Sequence, residues 1–129
     1  MTTVADVMSR NLLTIDPTAT LHEAAERIAE RGVGAALVLS GTSVSGILTE
    51  RDVLHAVATG SVDGTHVAAW MTRDPEVVAP DETTGRAAAL MIHGGFRHLP
   101  VVDGGEPVGI VSIRDLMRVV VDDESPRGV

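Results

Sequence analysis

Residues 4–57 align with residues 67–120 at a constant offset of 63 without a gap, and 16 of the 54 aligned positions are identical. Unrelated chains of ordinary composition would share about four. The chain is therefore an internal duplication and must fold as two like units. Identical pairs include Val4/Val67, Met8/Met71, Pro17/Pro80, Thr20/Thr83, Ala24/Ala87, Gly32/Gly95, Gly46/Gly109, Arg51/Arg114 and Asp52/Asp115. The copies are expected at residues 1–58 and 67–121, joined by a turn-rich linker at 59–66 and followed by a flexible acidic tail at 122–129. A unit of about 55 residues buries little surface by itself, so the copies should pack on one another as one compact module with approximate twofold symmetry.

Each copy carries the same local pattern. A short extended segment, Leu12–Ile15 or Glu76–Ala79, ends at Pro17 or Pro80 before a helix that begins near Thr20 or Thr83. Thr20-Leu21-His22-Glu23 has the form of a capping box, and Leu21, Ala24, Ala25 and Ile28 recur at helical spacing on one face. Gly32 and Gly95 are placed to end these helices in the left-handed conformation. Two apolar runs follow, Ala35–Leu39 and Val44–Leu48 in the first copy, Leu99–Val102 and Pro107–Val111 in the second. Each pair is separated by a four-residue turn segment and predicts two paired strands. A second helix starts near Glu50 or Ile113, expected to bury Val53, Leu54 and Val57, or Leu116, Met117 and Val120. The fold class is α/β (α+β), with two β-α-β-β-α repeats.

Composition narrows the function classes. Apolar residues make up 44% of the chain with one Phe, one Trp and no Tyr, so the core is aliphatic. No run approaches the roughly 20 apolar residues of a membrane span, and MTTVADVMSR lacks an apolar signal region, which predicts a soluble cytoplasmic protein. Absence of cysteine excludes disulfides, thiolate nucleophiles and zinc–thiolate sites. Eighteen acidic residues against ten arginines give a net charge of −8, which repels nucleic acid at long range. Screening within about 8 Å still lets a few local arginines hold one small anion.

The most specific repeated phrase is Gly46-Ile47-Leu48-Thr49-Glu50-Arg51-Asp52, matched by Gly109-Ile110-Val111-Ser112-Ile113-Arg114-Asp115. One reading is structural: Thr49 or Ser112 caps the helix, and the aspartate reaches back to the cap backbone N–H. The other is functional. A strand turning at once into a helix presents free N–H groups to an anion, with the hydroxyl close by. The aspartate, an acceptor-only group, can take two hydrogen bonds from the adjacent hydroxyls of a ribose. Glycine at 46 and 109 lets a ring or another backbone approach. Phosphate plus ribose points to a nucleotide.

These two phrases, the openings Val4-Ala5-Asp6-Val7-Met8 and Val67-Ala68-Ala69-Trp70-Met71, and the duplicated unit resemble a tandem cystathionine-β-synthase (CBS) domain pair, or Bateman module, over residues 4–121. The resemblance implies a free-standing regulatory module that binds AMP, ADP, ATP or S-adenosylmethionine in clefts between the repeats. It requires no cofactor for chemistry, commonly forms a homodimer, and acts on a protein partner the sequence does not identify. Carried over by motif, the first site would join Thr49, Arg51 and Asp52 to Val77, Val78, Arg97 and His98. The second would join Ser112, Arg114 and Asp115 to Thr14, Ile15, Gly34 and Ala35. Arg97 and His98 give the first site a cation and an imidazole for phosphate, whereas Gly34 and Ala35 make the second roomier and suited to an uncharged adenosine. Exposure of Arg97 and His98 as an ordinary strand end is the alternative.

Other constellations carry less. His22, His55, His66, His93 and His98 lack the i, i+4 pairing of a helical metal site and read as surface residues. Met8, Met71, Met91 and Met117 occupy apolar repeat positions. Trp70 replaces Val7 of the first copy, and packs either across the copies or at a dimer contact. No nucleophile with an acid–base partner emerges, so the chain is not expected to be an enzyme. A ligand-free homodimerisation or docking module is the alternative to the sensor.

Overall fold

The computed structural model describes residues 1–124, and residues 125–129 of the expected tail lie outside the described residues. Its elements are α1 (Val4–Val7), β1 (Thr14–Ile15), α2 (Leu21–Arg31), β2 (Ala35–Ser40), β3 (Ser43–Thr49), α3 (Glu50–Ala58), a 3-10 turn (Val67–Ala69), β4 (Thr72–Arg73), α4 (Thr84–Gly94), β5 (His98–Asp103), β6 (Glu106–Ser112) and α5 (Ile113–Glu124). They sort into two units. One is Asn11–Pro75; the other combines Met1–Arg10 with the chain from Glu76 onward.

In the Asn11–Pro75 unit, β1 lies parallel to β2, while β2–β3 and β3–β4 are antiparallel. The β2–β3 hairpin turns through Gly41, whose φ of 65° suits glycine. Leu13, Ile15, Leu21, Ala24, Ile28, Ala36, Val38, Leu48, Ala56 and Val67 form its core. The second unit pairs β5 with β6 through a turn at Gly104 and Gly105. Two isolated bridges complete that sheet, Val78 parallel to Val101 and Ser9 antiparallel to Ile110, and Val4, Val78, Ala87, Met91, Leu99, Val101, Val111 and Leu116 form the core beneath it. The extended segment expected at Glu76–Ala79 is thus one bridge rather than a strand, bracketed by Pro75 and Pro80, which have no N–H to donate.

Matching positions show the same device in both units. The hairpin registers slip between Val38 and Leu39 and between Val101 and Val102, leaving one extra residue, Ser45 or Val108, on the facing strand. Gly32 and Gly95 close α2 and α4 at φ 63° and 71°, as their spacing predicts. Thr20 and Thr83 cap those helices, accepting from the N–H groups of Glu23 (3.1 Å) and Arg86 (3.2 Å). Thr83→Ala should therefore cost about 1 kcal/mol of stability in urea unfolding.

The folded units do not follow the sequence copies at their openings. Val4, the first residue of the first copy, is wholly buried in the core built by the second. Val67, its counterpart, is buried in the core built by the first, with Trp70 and Met71 packed against it. The opening of each copy thus belongs to the unit of the other, and Trp70 packs across the copies in that sense.

The same exchange explains the repeated glycines. A Cβ on Gly46 would sit 2.6 Å from Met71 Sδ and 3.0 Å from the Thr72 carbonyl oxygen, and one on Gly109 would sit 2.5 Å from Met8 Sδ and 3.0 Å from the Ser9 carbonyl oxygen. What comes close to these glycines is the exchanged opening segment.

One expectation about burial is corrected. On α3 the buried residue is Ala56 with Val53 packed beside it, while Leu54 is 65% and Val57 57% exposed. Val53 and Ala56 lie three apart on one face; Leu54 and Val57 each follow by one residue, about 100° round the helix. On α5 Leu116 is buried, but Met117 is 52% exposed. The side chain of Val120 lies outside the described residues.

Candidate functional site

Strand β3 passes directly into α3 at Thr49, which keeps an extended backbone (φ −113°, ψ 164°) and acts as the helix cap. The Thr49 N–H donates to Asp52 Oδ2 at 2.8 Å and the Thr49 hydroxyl donates to the same oxygen at 3.0 Å. The Asp52 N–H in turn donates to Thr49 Oγ1 at 3.3 Å. At the matching junction the Ser112 N–H donates to Asp115 Oδ2 (2.9 Å) and the Asp115 N–H to Ser112 Oγ (3.1 Å). The structural reading of the motif is therefore correct in both copies.

The same device caps α1, where Asp6 Oδ2 accepts from the Thr3 N–H (2.9 Å) and hydroxyl (3.1 Å). Those two bonds hold the Asp6 carboxyl below its usual range. A capping box alone does not mark a binding site.

What distinguishes the two repeated junctions is the preceding strand. Glu50 N–H donates to Gly34 O (3.1 Å) and Ile113 N–H to Arg97 O (2.8 Å), so each helix start is tied to the entry of the neighbouring strand. With Thr49 N–H on Asp52, Glu50 N–H on Gly34 and Asp52 N–H on Thr49, three of the four N–H groups at the start of α3 are engaged. The capacity that remains is that of an acceptor: among the described residues no partner reaches Asp52 Oδ1. Such a group suits a ligand that brings donors, as a sugar diol does.

The predicted residues gather within the units as follows. In the Asn11–Pro75 unit, Thr49 pairs with Ala35, Gly34 adjoins Glu50, and Thr14 and Ile15 lie on β1 opposite Leu37 and Val38. In the other, His98 pairs with Ser112, Arg97 adjoins Ile113, and Val78 bridges to Val101. Each unit thus brings the helix-start motif of one predicted site together with the strand residues assigned to the other. Arg51, Arg97, Arg114 and Val77 are exposed, and Thr14, Gly34, Thr49, Asp52, His98, Ser112 and Asp115 are half-buried. Ile15, Ala35 and Val78 are 5–6% exposed, and the Val78 N–H and carbonyl are engaged by Pro100 and Val102. An open hollow lined by Thr14, Ile15, Asp16, Arg27, Leu39 and Gly41 lies at the turn end of β2, away from the Ala35–Thr49 pair.

Sequence reasoning missed one residue beside the site. Arg118 Nη1 stands 3.6 Å from Asp115 Oδ1, with the Asp115 side chain 16% and that of Arg118 70% exposed. The signal was the i, i+3 spacing on α5. At the matching place in α3 the residue is His55.

The CBS domain family model matches residues 4–59 and 67–122. A 17.7 kDa protein of Acidianus ambivalens is 37% identical over 123 residues, 94% of this chain and 74% of its own length. Other curated relatives are longer, the chain spanning 43% of one and 21% of another. Among solved structures, the CBS domain pair of protein MJ0100 in complex with 5'-methylthioadenosine and S-adenosyl-L-methionine has a TM-score of 0.89 at 25% identity, covering 96% of this chain and 99% of that one. The Arabidopsis thaliana CBS-pair protein CBSX2 in complex with AMP has a TM-score of 0.82 at 27% identity over the same shares. No helix among the described residues is long and apolar enough to cross a membrane. With two full-length family matches on a duplicated mixed α/β fold, the chain belongs to the CBS domain family and carries two of its domains.

Proposed function

We propose that the chain is a cytoplasmic regulatory module that senses an adenosine-containing nucleotide of the AMP, ADP or ATP class, and that Asp52 and Asp115 hold the ribose hydroxyls. The observation that carries this reading is the divided carboxylate: one oxygen of Asp52 closes the capping box while the other has no partner among the described residues. MJ0100 and CBSX2, solved with adenosine-containing ligands, support the ligand class. A net charge of −8 favours a single small anion over a polyanion. The regulatory effect is bounded by the ligand's differential affinity for two states of the module and its partner.

Thermal shift and calorimetric titration with AMP, ADP, ATP, S-adenosylmethionine and NAD test the reading: a saturable rise in melting temperature with an adenosine ligand is expected. Absence of any response across the set would overturn it. Arg97, exposed and bearing no side-chain partner among the described residues, supplies the phosphate contact. Arg97→Ala should then weaken AMP about tenfold or more while leaving adenosine nearly unchanged. Equal loss for both ligands would remove Arg97 from the phosphate role.

A second reading, self-association as a homodimer with or without ligand, is favoured by one observation. Leu54 and Val57 on α3 of one unit, and Met117 and Val121 on α5 of the other, are each more than half exposed, apolar side chains that water alone does not favour. Sedimentation velocity on Leu54→Glu/Met117→Glu should show a monomer where the unsubstituted chain is a dimer.

A further inference from the structure

We propose that Arg118 competes with the ligand for Asp115, making the second aspartate a weaker acceptor of a ribose diol than the first. The inference rests on the ribose reading above. Asp115 Oδ2 already accepts from the Ser112 N–H, so a diol that uses both oxygens needs Oδ1, and that is the oxygen facing Arg118 Nη1 at 3.6 Å. Asp52 has the same division of labour, with Oδ2 in the cap, but among the described residues no cation reaches its Oδ1. The matching side chain there is the shorter His55, which is exposed on α3. Two carboxylates that are identical in sequence context through Arg51-Asp52 and Arg114-Asp115 thus differ in the availability of the ligand-facing oxygen.

Arg118 is 70% exposed and held to Asp115 by a single contact on its own helix, so a ligand can displace it. Exposed i, i+3 pairs are weak, which sets the competition at about twofold to fivefold in affinity rather than complete exclusion. The occupant discouraged most is an uncharged diol, because it offers the released guanidinium no new partner. The strand residues beside the Asp115 junction are Arg97 and His98, whereas Gly34 and Ala35 lie beside Thr49 and Glu50.

The test uses the full chain and adenosine as the probe. In an Asp52→Asn background, where the second aspartate is read alone, Arg118→Gln should raise adenosine affinity about twofold to fivefold. The gain should vanish with 2′,3′-dideoxyadenosine, which lacks the competing donors, a pattern that a merely structural role for Arg118 would not produce. In an Asp115→Asn background, His55→Arg should lower adenosine affinity by a similar factor. In the Asp52→Asn background, unchanged or reduced affinity on Arg118→Gln, while addition of Asp115→Asn abolishes binding, would overturn the competition and leave the ribose reading standing. Adenosine binding that is absent from the unsubstituted chain, or undiminished by Asp52→Asn/Asp115→Asn, would instead overturn the ribose reading and the proposal with it.

Discussion

Asp52→Asn should weaken adenosine and AMP binding at the first copy by about two orders of magnitude while leaving the melting temperature almost unchanged. Both halves of that expectation come from the divided carboxylate. The amide of Asn keeps one carbonyl oxygen, enough to accept from the Thr49 N–H now bonded to Asp52 Oδ2 at 2.8 Å. It places an NH2 group where Oδ1 stands, turning an acceptor toward the ligand into a donor that opposes the sugar hydroxyls. Two hydrogen bonds to a charged acceptor, at about 1.5–3 kcal/mol each, amount to a hundredfold or more. Asp52→Ala removes the cap as well and should add about 1 kcal/mol of destabilisation. Equal and small effects of Asn and Ala on stability and binding would reduce Asp52 to a capping residue like Asp6.

Gly46→Ala and Gly109→Ala should each destabilise the chain by about 1–3 kcal/mol, although alanine is an ordinary strand residue and neither glycine has positive φ. The cause is space. Met71 can move its thioether away from a new Cβ at Gly46, but the Thr72 carbonyl oxygen at 3.0 Å belongs to β4, whose Arg73 pairs with Gly46 itself. Moving it opens the sheet edge that the exchanged opening segment completes. Gly85→Ala on α4, where an added Cβ meets nothing within 4 Å, is the control and should stabilise by about 0.5–1 kcal/mol. Urea unfolding of the three variants separates the cases. A neutral Gly46→Ala would mean that the opening segment sits loosely on β3.

Much of the fold was legible because its signals are local. Thr20 and Thr83 cap, Gly32 and Gly95 close their helices, and the hairpins turn at Gly41 and Gly104. Exchange of the openings was not legible, because a duplication at constant offset reads identically whether Val4–Met8 packs on its own copy or on the other. The choice rests on tertiary contacts, Val4 in one core and Val67 in the other. The burial phase of α3 was misread because Leu54 and Val57 outweigh Ala56 in hydrophobicity, yet the small Ala56 is what fits beneath the helix. At the candidate site, the capping pairs Thr49–Asp52 and Ser112–Asp115 were legible, and which carboxylate oxygen the cap takes was not. Arg118, a turn further along α5, was missed.

The most direct test of the central claim pairs a change in the ligand with a change in the protein. Titrating the unsubstituted chain and Asp52→Asn/Asp115→Asn with adenosine and with 2′,3′-dideoxyadenosine isolates the contact between diol and carboxylate as a double-mutant cycle. Removing the hydroxyls should cost the unsubstituted chain about two orders of magnitude and cost the doubly substituted chain almost nothing further. The same loss in both proteins would contradict the account, since the hydroxyls would then be held by something other than Asp52 and Asp115.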